Sequence, residues 1–106
     1  MNERARPTEF EAALRQYRKD VDAIDLQLLS LLARRFAITR EIGELKAAHR
    51  VPAADPEREQ AQLERLFARS ELIGLATEAT RVVFEALFAL VRKNHAAVAA
   101  NANGAR

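Results

Sequence analysis

Arg35 stands where a helical packing face calls for an apolar residue. The series Leu14, Tyr17, Val21, Ile24, Leu28, Leu31 advances by alternating steps of three and four and resumes at Ile38, Ile42 and Leu45. That spacing marks one face of a helix and not the alternation of a strand. A guanidinium on such a face has to be paired or left partly wet. Pairing with an acid such as Asp25 or Glu41, or snorkelling to the surface, would account for Arg35 taken alone. Lys46 lies eleven residues further on, about 20° around the helix and roughly 16 Å along it. Two long cationic side chains so placed can lean together over a ligand several ångströms wide. Gly43, one turn before Lys46, costs about 1 kcal/mol relative to alanine in mid-helix. Either close helix packing or approach of the backbone to a ligand would justify it.

Arg18 is a separate case. It precedes Arg35 by seventeen residues, roughly 25 Å along a helix axis and about 100° around it. A single straight helix cannot bring both guanidinium groups to one small molecule. Arg18 is therefore either surface charge or part of a site completed by another subunit. Further on, Asp55, Arg58 and Glu59 fall at i, i+3 and i+4, on one helix face, where N-capping and solvation would explain them one at a time. His95 lies on an apolar seam, four residues after Val91 and three before Val98; a histidine there serves either as a hydrogen-bonded core residue or as a donor to a ligand.

The chemistry open to this set is narrow. The chain has no cysteine, which excludes a cysteine nucleophile, a disulfide framework and a zinc–thiolate centre. Its two histidines, His49 and His95, make a histidine-rich metal site improbable, and no metal or other cofactor is expected. No nucleophile–base–acid triad, phosphate-binding loop or glycosidase carboxylate pair is evident. What remains is two or three cations, a nearby acid and one ring able to hydrogen-bond. That set suits a small dianion acted on by positioning and electrostatics.

Helices are the elements that must position these groups. Thr8 and Glu11 form a T-x-x-E capping box just after Pro7, a helix start. No proline follows until Pro52, so the first helix should stop near 49–51, because a residue before proline avoids the α region. It then runs about 40 residues, roughly 60 Å at 1.5 Å per residue. A compact chain of this length has a radius of gyration of about 13 Å and cannot bury such a helix; the simplest partner is a second copy. Asp55-Pro56-Glu57 announces a second helix by N-cap, N1 proline and first-turn acid, with Leu63, Leu66 and Phe67 as its apolar face. The segment 70–77, containing Gly74, reads as a break. A third helix follows from about Glu78 to Ala99, with Val83, Phe84, Leu87, Val91 and Val98 along one side.

Composition agrees with one all-α domain. A chain of 106 residues that is 49% hydrophobic and 30% charged is long enough for one core and not disordered through most of its length. Three glycines and three prolines are too few turn formers for a sandwich or barrel. Seventeen basic against fifteen acidic residues is not the dense basic stripe of a nucleic-acid binder, and no apolar run reaches membrane-spanning length. Residues 1–7 are expected to be a flexible N-terminus, 8–99 the domain and 100–106 a flexible C-terminal tail, in a cytoplasmic protein with neither nucleic acid nor membrane as partner.

Four segments in register carry a resemblance: R-K-D-V-D-A-I-D from Arg18, A-R-R ending at Arg35, G-E-L-K from Gly43 to Lys46, and D-P-E-R-E from Asp55 to Glu59. Over about residues 14–98 the chain resembles the all-helical class of chorismate mutase. The resemblance implies an intertwined homodimer of three-helix chains with two equivalent sites, Arg18 reaching each site from the neighbouring subunit. It implies that Arg18 and Arg35 bind the two carboxylates of chorismate and that Lys46 contacts the ether oxygen. It further implies that Glu59 and Asp55 hold the C4 hydroxyl, with Arg58 supporting that end. Two positions depart from the family pattern. His95 stands where a glutamine or glutamate commonly donates to the ether oxygen, and Val91 stands where a serine often touches a carboxylate.

The implied reaction is the Claisen rearrangement of chorismate to prephenate, on the route to phenylalanine and tyrosine. Sibling activities on the same scaffold are isochorismate–pyruvate lyase and a mutase of 4-amino-4-deoxychorismate. Retention of D-P-E-R-E favours a mutase over the lyase, which has less need to grip a C4 hydroxyl, but a carboxylate would bind a C4 ammonium at least as well. A reading of another class is a non-catalytic helical dimerisation module, which would need no converging cations and would tolerate Arg35→Leu.

Overall fold

The structure, a computed structural model, describes residue 6 and residues 8–104, with side chains described as far as residue 102. Pro7 and most of the segment expected to be a flexible N-terminus lie outside the described residues. Three helices make up the fold, with no strand among the described residues: α1 (Glu9–Ala48), α2 (Pro56–Ile73) and α3 (Thr77–Gly104).

The capping box that opens α1 is formed. The Glu11 amide donates to Thr8 Oγ1 at 3.1 Å, and the Thr8 amide donates to Glu11 Oε2 at 3.4 Å. The helix then runs 40 residues, as the proline-free stretch requires. It ends on a Schellman arrangement: the Val51 amide donates to the Lys46 carbonyl at 2.9 Å and the Arg50 amide to that of Ala47 at 3.2 Å. The motif puts its C′ residue in the left-handed region, and Arg50 takes that role with φ 55°.

Asp55 caps α2 through Oδ1, which accepts from the Arg58 amide at 3.1 Å, and Pro56 opens the helix. The expected break at 70–77 is shorter than the sequence suggested. Helix α2 continues to Ile73 and closes on Gly74, whose φ of 76° lets the Leu75 amide reach the Ser70 carbonyl at 2.9 Å. Ser70 stays helical because its hydroxyl has partners: it donates to the Leu66 carbonyl at 2.8 Å and shares a hydrogen bond with the Thr80 hydroxyl. Both side chains are buried, and the pair ties the end of α2 to the start of α3.

Two compact units divide the chain, Met1–Arg35 and Phe36–Arg106, so the boundary falls inside α1. In the first unit α1 leaves Tyr17, Val21, Ile24, Leu28 and Leu31 at least half exposed. In the second, Leu63 of α2 packs in a small core with Leu87 and Phe88 of α3. Phe84 meets Phe88 edge-on at 6.2 Å within α3. The Arg81 guanidinium lies over the Phe67 ring at 4.7 Å and Arg92 meets Glu59, so α2 and α3 pack as an antiparallel hairpin. Of the expected face of α3, Leu87 is buried and Phe84, Val91 and Val98 are half-buried, and one position differs. Phe88 is buried and Val83 is exposed, because the positions facing α2 and the end of α1 run Thr80, Phe84, Leu87, Phe88, Val91, His95. Helix α3 also continues past Ala99 to Gly104.

Candidate active site

Arg18 and Arg35 belong to the first unit, and Lys46, Asp55, Arg58, Glu59, Val91 and His95 to the second. Arg18 is exposed and lies with Glu11, Leu14, Arg15, Lys19 and Asp22 along an open groove of the α1 surface. Arg35 is half-buried.

In the second unit, the last turns of α1 meet α3 at His95. This side chain is buried, 6% exposed, and its Nε2 lies 2.7 Å from the Thr39 carbonyl oxygen. A carbonyl only accepts, so Nε2 carries the hydrogen and donates it. In the neutral ring Nδ1 is then an acceptor. To donate to an ether oxygen as the resemblance implies, His95 must either carry a second proton or give up Thr39. The same ring accounts for Gly43. A Cβ at position 43 would stand 2.6 Å from His95 Cδ2, closer than side-chain carbons approach, and 3.1 Å from Nε2, a tight contact. Of the two explanations for this glycine, close helix packing is the one observed.

Lys46 is half-buried, and its Nζ donates to the Ala53 carbonyl at 3.4 Å, which ties the end of α1 to the connection into α2. An ammonium has three hydrogens, so this contact leaves Lys46 two more to offer. Asp55, Arg58 and Glu59 occupy the N-cap and first turns of α2, where the helix presents unpaired amides and a partial positive charge that favour carboxylates. Asp55 already spends Oδ1 on the cap.

Glu59 is the most enclosed of these carboxylates, its side chain 28% exposed, and its Oε1 accepts from Arg92 Nη1 of α3. The pair borders an open depression of about 320 Å³ along the α2–α3 seam, lined by Pro56, Glu59, Gln60, Leu63, Glu85, Phe88 and Arg92. Sequence reasoning passed over Arg92. Its signal is its place between Val91 and His95, but its partner is thirty-three residues away, beyond any helical spacing rule. Val91 is half-buried and offers no polar atom from its side chain, so it can only shape a site.

An all-helical chain with a very long first helix, cations along that helix and a carboxylate pair at the start of the second defines the class of protein. Residues 17–96 match the family described as chorismate mutase type II, a stretch that holds all eight candidate positions, and the chain belongs to that family. Among curated relatives, it is 32% identical over 69 residues to a T-protein of Haemophilus influenzae, covering 65% of this chain and 18% of that one. It is 38% identical over 53 residues to a bifunctional chorismate mutase/prephenate dehydratase of Aquifex aeolicus, covering 50% of this chain and 15% of that one. It is 36% identical over 53 residues to a chorismate mutase of Methanocaldococcus jannaschii, covering 50% of this chain and 54% of that one. The match thus spans about half the length of the last of these relatives and under a fifth of the other two.

Proposed function

We propose that this chain is a chorismate mutase, converting chorismate to prephenate as an intertwined homodimer in the cytoplasm. Membership of the family over a stretch that contains every candidate position is the observation that carries the reading. The reaction breaks the C–O bond of the enolpyruvyl ether and forms a C–C bond within the same molecule, so it requires no acid, base, nucleophile or cofactor. The protein has to hold a flexible dianion in its compact diaxial conformer and stabilise the oxygen on which negative charge grows.

The residue types suit that division of labour. Arg18 and Arg35 offer rigid two-pronged donors to the carboxylates, and Lys46 offers a compact charge to the single ether oxygen. Asp55 and Glu59 hold the C4 end of the substrate, where the single hydrogen of the hydroxyl goes to one carboxylate oxygen. His95 lies near the ether oxygen in the family register, and Val91 leaves one carboxylate contact unfilled. The exposed apolar side chains of α1 at Tyr17, Val21, Ile24, Leu28 and Leu31 support a second copy as the surface that covers them. The test is to incubate the purified protein with chorismate, isochorismate and 4-amino-4-deoxychorismate and identify the products. Prephenate from chorismate is expected; pyruvate release from isochorismate alone would overturn the reading.

A further inference from the structure

We infer that Arg92 sets the enzyme's preference at C4 of the substrate, selecting a neutral hydroxyl against a cationic ammonium. The inference rests on the chorismate mutase reading, which places Glu59 at that end of the substrate. A bare carboxylate binds either group and favours the ammonium, because it adds charge attraction to a hydrogen bond. Glu59 is not bare. Arg92 Nη1 engages its Oε1, so the pair carries no net charge, while a carboxylate's several lone-pair positions leave capacity for one more donor. A hydroxyl needs only that capacity. An ammonium needs negative potential, and it would enter beside a guanidinium.

The other charges around the pair leave the balance in place. Glu85, on the same depression, is paired with Arg81 at 3.4 Å. Asp55 spends Oδ1 on the amide of Arg58, and Arg58 adds a further positive charge to the first turn of α2. The amino end of α2 contributes its own partial positive charge. Removing Arg92 would leave Glu59 as uncompensated negative charge in a half-enclosed place, which is the condition an ammonium prefers. Arg92 is thus a specificity-determining residue and not part of the reacting constellation.

The experiment compares kcat/KM for chorismate and for 4-amino-4-deoxychorismate in the wild type, Arg92→Met, Arg92→Gln and Arg92→Lys. The Arg92 side chain is 47% exposed, and methionine keeps much of its aliphatic stem. Both neutral variants should lower the chorismate-to-amino ratio by about tenfold or more, chiefly from gain on the second substrate. Arg92→Lys should hold the ratio within about threefold of wild type, because it keeps the charge and gives up only the fork. The ratio is insensitive to partial misfolding, which lowers both substrates alike. Parallel losses on both substrates in both neutral variants would overturn the inference while leaving the proposed activity standing. If the wild type turns over neither substrate, the proposed activity falls and this inference falls with it.

Discussion

At position 43 two rules of helix chemistry oppose one another. Alanine in place of a mid-helix glycine gains about 1 kcal/mol from propensity, and composition alone would make Gly43→Ala a stabilising change. The His95 ring reverses the sign, since the new methyl would lie 2.6 Å from Cδ2. The ring cannot move aside cheaply, because the hydrogen bond to the Thr39 carbonyl holds it and its surroundings are packed. Gly43→Ala should therefore destabilise the protein by about 1–3 kcal/mol, the usual cost of overpacking, read as a lower midpoint of thermal or urea unfolding. In a His95→Ala background the obstruction is gone and Gly43→Ala should become neutral or stabilising. A Gly43→Ala variant as stable as wild type would show that the ring yields. The contact was only half legible in the sequence. The glycine and the seam histidine each stood out, but nothing in local spacing says that two residues fifty-two positions apart occupy the same volume. Arg92 and Glu59 were hidden for the same reason.

Elements were more legible than contacts, because their ends are written in short-range chemistry. Thr8 with Glu11 and Asp55 with Pro56 mark helix starts whose side-chain capping bonds are formed. Helix α2 outruns its sequence expectation because Ser70 reads as a turn residue in sequence, whereas its hydroxyl is satisfied by Leu66 and by Thr80 on the next helix. The exchange of Val83 for Phe88 on the packed face of α3 has a similar origin. Val83, Phe84, Leu87 and Phe88 are apolar in adjacent pairs, so periodicity allows either side, and the packing of Leu63 decides. At the end of α1 the stop itself was legible from Pro52, but its mechanism was not, since the left-handed C′ position favours glycine and here holds Arg50 at φ 55°. A side chain other than glycine, asparagine or aspartate in that region costs about 1–2 kcal/mol. Arg50→Gly gives back part of that in the unfolded chain, whose entropy it raises. The net expectation is a gain of roughly 0.5–1 kcal/mol, seen as a higher unfolding midpoint with activity unchanged, because position 50 lies outside the candidate site. A lower midpoint would mean that the arginine side chain makes a contact worth more than its backbone strain.

On the scale of the whole molecule, the proposed function leaves one chain's chemistry incomplete. Arg18 and Arg35 lie on the same helix, about 25 Å apart by helical rise, and the proposed function wants both at one small substrate. The side chains that alternate with them, Tyr17, Val21, Ile24, Leu28 and Leu31, are at least half exposed. Covering the exposed half of each such aliphatic side chain contributes about 1 kcal/mol, so a second copy laid along this face would gain stability and bring a second Arg18. The proposed arrangement can be tested by complementation. Arg18→Ala and Arg35→Ala homodimers should each be nearly inactive, because both of their sites lack one cation. Unfolded and refolded together in equal amounts, the two variants should pair at random. In a mixed dimer the intact Arg18 of one chain meets the intact Arg35 of the other, so one site is whole and the second lacks both cations. About half the dimers are mixed and each has one good site of two, so roughly a quarter of wild-type activity should return. Native mass spectrometry of the refolded sample checks that exchange took place. Exchange without recovery would mean that Arg18 and Arg35 serve different sites or only one of them serves catalysis. Recovery would require two chains to build one pocket, which neither a monomeric enzyme nor a non-catalytic dimerisation module can do.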